Sequence, residues 1–152
     1  MTSYEFWLFL HIAAAIVWIG GGVVGQVFGA LAKRSADPAR TAAFGQDMSF
    51  VALKVFLPAS LVLVASGLLL TEDGNWDWSE LFIVLGLVGW ALVSITAFGY
   101  ITRGMGRVGA QMAAQGPTPE LAAQVGRLVL LGRLVLLILF AIVFVIVVKP
   151  GS

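Results

Sequence analysis

The sequence predicts an all-α protein, a four-helix transmembrane bundle built from two antiparallel hairpins. Three observations carry this expectation. Hydrophobic residues make up 60% of the 152 positions and charged residues only 11%, whereas soluble domains carry about 25% charged residues. Four apolar runs, about 6–32, 51–71, 81–102 and 128–148, each approach or exceed the ~20 residues that cross a hydrocarbon core. Nearly every charge falls between those runs.

The first run holds one ionisable side chain, His11, between Glu5 and Lys33. The residues before it include no basic cluster and no small-residue cleavage pattern, so the span reads as retained rather than as a signal peptide. At 3.6 residues per turn, His11, Ala15, Trp18, Gly22, Gly25, Gln26 and Gly29 share one stripe. Phe9, Ile12, Ile16, Ile19, Val23 and Val27 share the opposite one, which suits lipid. Gly21, Gly25 and Gly29 form two overlapping G-x-x-x-G spacings, a seam that lets another helix approach closely. Gln26 is expected to hydrogen-bond between helices.

The connection after the first span carries Lys33, Arg34, Arg40 and Lys54 against Asp37 and Asp47. The third connection carries Arg103, Arg107 and Arg127 against Glu120. Asp37-Pro38 and Thr118-Pro119 each place an N-cap residue before a proline suited to the first helical position. The second and fourth helices therefore start well ahead of their apolar runs. Pro58 should kink the second helix. The middle connection, Glu72 to Glu80, has four acidic residues and no basic one. By the positive-inside rule the basic connections face the cytoplasm, and both termini and the acidic loop face outward. Tyr4, Trp7, Trp76 and Trp78 then form an aromatic belt at the outer edge of a bacterial cytoplasmic membrane. The two hairpins share a plan but no residue-level repeat.

Composition excludes much chemistry. With no cysteine there is no disulfide, thiolate metal site or catalytic thiol. A net charge of +1 gives no case for nucleic acid. No G-x-S-x-G, H-E-x-x-H or Walker motif is present, and Gly20-Gly21-Gly22 lies inside a membrane helix. One histidine cannot supply a zinc or copper site by itself.

His11 itself has three readings: an interhelical hydrogen bond, an axial haem or metal ligand, or a proton relay. Trp18 and Gly22 lie on its stripe and join it as candidate cofactor-binding residues. Arg133, about 9 Å deeper than Arg127, either snorkels or offers a fixed charge to a porphyrin propionate or a quinone oxygen. The acidic loop is either a solvated rim or an oxygen-rich cation site.

The stretch from His11 to Gly21, in which Trp18 is followed by Gly20-Gly21, resembles the first-helix pattern L-H-x6-W-x-G-G. That pattern occurs in copper-resistance D-type membrane proteins, membrane-bound protoporphyrinogen oxidases and the membrane domain of cytochrome-c-type urate oxidase. Together with Ser66-Gly67 and the terminal Lys149-Pro150, nearly the whole chain resembles an uncharacterised family of predicted four-helix bacterial integral membrane proteins. The oxidase resemblance implies haem b with His11 as its ligand, although later-helix histidines of that family are missing here. The expected function is an accessory or structural subunit of a respiratory or transport assembly, as a homo-oligomer or within a larger membrane complex. The alternatives are a haem-b or porphyrin redox protein, a copper-handling protein using His11 with methionines, and a small oligomeric transporter.

Overall fold

The computed structural model describes residues 1–149; Pro150 of the Lys149-Pro150 pair lies outside them. Four long helices account for almost all of the described chain: α1 (Ser3–Arg34), α2 (Pro38–Asp73), α3 (Leu81–Gln115) and α4 (Pro119–Val148). No strand occurs among the described residues. Each helix is long and apolar enough to span a membrane.

The starts are set by local chemistry. Thr2 and Glu5 form a capping box on α1, with Thr2 Oγ1 accepting from the Glu5 amide and Glu5 Oε2 accepting from the Thr2 amide. Asp37 and Thr118 cap α2 and α4 ahead of their prolines, as expected. Gly116, at φ 82°, ends α3 in a conformation that L side chains resist.

α3 runs past the third apolar run to Gln115, so Arg103 and Arg107 lie within the helix. Its last part buries Met105, Val108, Gly109 and Met112, spaced as one helical stripe, against α2. The charges sit on the other face of the same helix and do not break it.

Three of the helices contain a wide, π-helical turn: Ile16–Gly20 in α1, Ala52–Phe56 in α2 and Ile95–Ile101 in α3. All three lie about 20–30 Å from the acidic-loop end at helical rise. Pro58 lies two residues past the α2 turn. Proline has no N–H and its ring crowds the preceding carbonyls, so the expected distortion takes the form of this wide turn. In α1 the extra residue shifts the helical phase. Ile19, placed on the lipid stripe by strict periodicity, therefore packs into the core beside Trp18. The other five residues of that stripe are exposed, as expected.

Helix partners change across this level. Toward the acidic loop, α1 packs along α2 and α3 along α4. Toward the basic end, the most extensive packing is between α2 and α3. Two apolar clusters result. One holds Ala42, Met105, Val108, Met112, Leu121 and Leu128. The other holds Trp18, Val93, Val135 and Leu139 at mid-bundle.

The glycine seam of α1 also differs from expectation. Methyl groups on Gly21, Gly25 and Gly29 would run into the side chains of Phe56, Met48 and Phe44. The seam thus receives large α2 side chains rather than a neighbouring backbone. The close backbone crossing lies elsewhere. A methyl on Gly45 would stand 3.0 Å from the Met105 carbonyl oxygen, and one on Gly109 would stand 2.8 Å from that of Ala42.

Candidate functional site

Because α1–α2 and α3–α4 pair separately at the acidic-loop end, a cavity of about 250 Å³ opens between the hairpins. Its wall is mostly apolar and includes His11, Trp18, Gly67, Trp90 and Lys149. His11 reaches it from α1, about two turns inside the helix start.

The seat of His11 is built by α2. His11 Nδ1 lies 2.9 Å from the Leu63 carbonyl oxygen and 3.3 Å from Ser66 Oγ. A carbonyl can only accept, so Nδ1 carries the hydrogen and donates it. The neutral ring then keeps its lone pair on Nε2, which has no hydrogen-bond partner among the described residues. Ser66 itself donates to Val62 and Leu63 carbonyls at 2.6 and 3.1 Å. Gly67 makes room for the ring: a methyl there would come within 3.1 Å of His11 Cε1. The Ser66-Gly67 pair, noted in the sequence only for its pattern, is thus the socket of the histidine. An imidazole held through Nδ1–H to a backbone carbonyl, with Nε2 left over, is the arrangement that orients histidine as a ligand.

One wall residue, Trp90, is anchored in a polar cluster. Trp90 Nε1 donates to the carbonyl and hydroxyl oxygens of Ser60 at 3.2 and 3.0 Å, and Ser60 Oγ is 3.4 Å from Ser94 Oγ. At the mouth, Lys149 Nζ sits 3.9 Å from the centre of the Trp76 ring, a cation–π contact. Lys149 escaped the sequence reading because α4 and the acidic loop meet only in the folded bundle.

Trp18 closes the cavity from below. It is 4% exposed and stacks on Phe98 with ring centres 5.7 Å apart. On its other side lies a second cavity of about 130 Å³, lined by Gly22, Gly25, Gln26, Ser49 and Thr102 among others. Trp18 and Leu139 line both, so the structure brings His11 and Trp18 to one cavity and Trp18 and Gly22 to the other. Gln26, expected to bridge helices, has its Oε1 buried with no hydrogen-bond partner among the described residues. Its amide nitrogen lies against Gly132 of α4, which offers no side chain to meet it. Arg133 is exposed and lines neither cavity.

His11 has the disposition of an axial ligand. The cavity falls below the roughly 300–1,000 Å³ of ligand clefts, and Arg133 is not available there to pair a propionate, so a tetrapyrrole does not fit as the helices stand. Among the described residues no three histidine, aspartate or glutamate side chains converge on a metal position, the acidic loop included.

Residues 6–150 match the model of a family described as "Predicted integral membrane protein (DUF2269)". No curated protein and no solved structure matches the chain.

Proposed function

The chain belongs to that family of predicted integral membrane proteins, and on this premise we propose that it is an accessory subunit of a membrane assembly whose contribution is a ligand site at His11. The ligand is a small, largely apolar molecule carrying a hydroxyl or another hydrogen-bond donor. The observation that carries this reading is the orientation of the imidazole: Nδ1–H is committed to Leu63, leaving Nε2 as an acceptor in an apolar wall. An acceptor that opens into a mostly apolar cavity selects for a ligand that donates to it.

In this reading the acidic loop faces outward and the basic ends of the helices face the cytoplasm of a bacterium, following the charge asymmetry of the connections. The same histidine geometry supports haem ligation as a second reading, which requires the two hairpins to part. Copper handling draws on His11 alone and has no converging ligand set behind it.

The test is to purify the full chain from membranes in mild detergent beside His11→Leu, then extract and identify what each retains by mass spectrometry. Absorption spectra are recorded oxidised and dithionite-reduced. A small apolar molecule held by the parent and lost from the variant is the expected result. A Soret band that moves on reduction and disappears in the variant would replace this reading with the haem one. Equal retention by both proteins would remove His11 from the site.

A further inference from the structure

At the basic end, α3 and α4 diverge around a groove of about 380 Å³ that neither cavity above includes. Arg107 and Gln111 line it from α3, and Gln124 and Arg127 from α4. Buried Val108 and Leu128 form its floor. Tyr100, two turns toward the acidic-loop end and 60% exposed, borders it on the membrane side.

Three features of the groove point to one ligand. Two guanidinium groups are brought to a single depression, and neither forms an ion pair or hydrogen bond with a described side chain. The carboxylate nearest in sequence, Glu120, is not among the lining residues. Like charges held together repel unless an anion lies between them, and the planar guanidinium fork matches phosphate oxygens in pairs. The groove also sits where the apolar runs of α3 and α4 give way to charge, the level at which headgroups lie and tyrosine is enriched. Above it, the exposed Leu92, Leu130 and Leu134 offer a surface for acyl chains.

We propose that this groove binds the headgroup of an anionic phospholipid, its phosphodiester held between Arg107 and Arg127. The Gln111 and Gln124 side chains are within the same groove to hydrogen-bond the polar head, and Tyr100 packs beside the glycerol region. Basic pockets between transmembrane helices are suited to acidic headgroups. A free phosphate would use the same two arginines but would gain nothing from Tyr100 or the leucines.

The experiment is native mass spectrometry of the detergent-solubilised full chain titrated with phosphatidylglycerol or phosphatidylcholine. The variants are Arg107→Gln/Arg127→Gln and a control, Lys33→Gln/Arg34→Gln, which removes the same charge from exposed positions at the same end. The expected result is one tightly held phosphatidylglycerol, preferred over phosphatidylcholine, whose affinity falls about 30-fold in the groove variant and little in the control. If the double variant does not fold, each single variant should still show a loss of about fivefold. Three outcomes would overturn the proposal: no lipid preference, an equal loss in the control, or displacement of the lipid by millimolar inorganic phosphate.

Discussion

His11 of α1 donates through Nδ1 to the Leu63 carbonyl of α2 at 2.9 Å, and Gly67 one turn further on leaves the space in which the ring lies. The contact ties the first hairpin together near the acidic loop. His11→Leu should therefore lower stability by about 0.5–1.5 kcal/mol, the scale of a single interhelical hydrogen bond. Gly67→Ala should also destabilise, because its methyl meets the ring at 3.1 Å. Thermal unfolding in detergent measures both; no change in either protein would mean that the ring is not seated there.

Gly109 and Gly126 give a paired test of packing. A methyl on Gly109 stands 2.8 Å from a backbone oxygen of α2, which cannot swing away, whereas one on Gly126 meets nothing within 4 Å. Gly109→Ala should cost about 1–3 kcal/mol. Gly126→Ala should gain about 0.5–1 kcal/mol from the lower backbone entropy of the unfolded chain. Opposite signs in the two melting temperatures are the expected outcome.

Gln26 holds a buried oxygen with no hydrogen-bond partner among the described residues. Replacing it with methionine, similar in length and without the amide, should stabilise the bundle by about 1–3 kcal/mol. A loss of stability would show instead that the amide meets a water or a ligand in the cavity beside it.

Asp77 in the acidic loop accepts from both the amide and the hydroxyl of Ser79, at 2.8 and 2.7 Å. These bonds favour the carboxylate and hold its pKa below the ordinary aspartate value. The folded value is depressed, so the contribution is fully present above the unfolded pKa of about 3.9 and is lost as pH falls through the folded one. Carbon-13 titration of Asp77 should place its midpoint below that of Ser79→Ala. Coincident midpoints would mean that the Ser79 hydroxyl does not bond the carboxylate in solution.

The spans, the two proline-backed caps and the inward stripe of His11 were legible because each depends on residues close together in sequence. Asp37 and Thr118 announce their helices within three residues. Other features were hidden for physical reasons. A wide turn adds one residue without any mark in composition, and Ile19 was misplaced on that account. Arg103 and Arg107 resemble loop charges until Met105, Val108 and Met112 are seen on the opposite face of a continuing helix. The seat at Leu63 and Ser66 and the pairing of Lys149 with Trp76 join residues far apart in the chain. Gln26 was read as bridging from its type alone, since the glycine opposite it is visible only in the fold.

Each wide turn holds one residue more than the α-helical turn it replaces, so the two ends of α1, α2 and α3 are indexed separately. α4 has no such turn and runs unbroken from Pro119 to Val148. Losing the extra residue of such a turn would return it to α-helical pitch, so each turn sets the phase of one end of its helix against the other. The protein is in effect two half-bundles mounted on a shared axle, their relative phase set by these three turns.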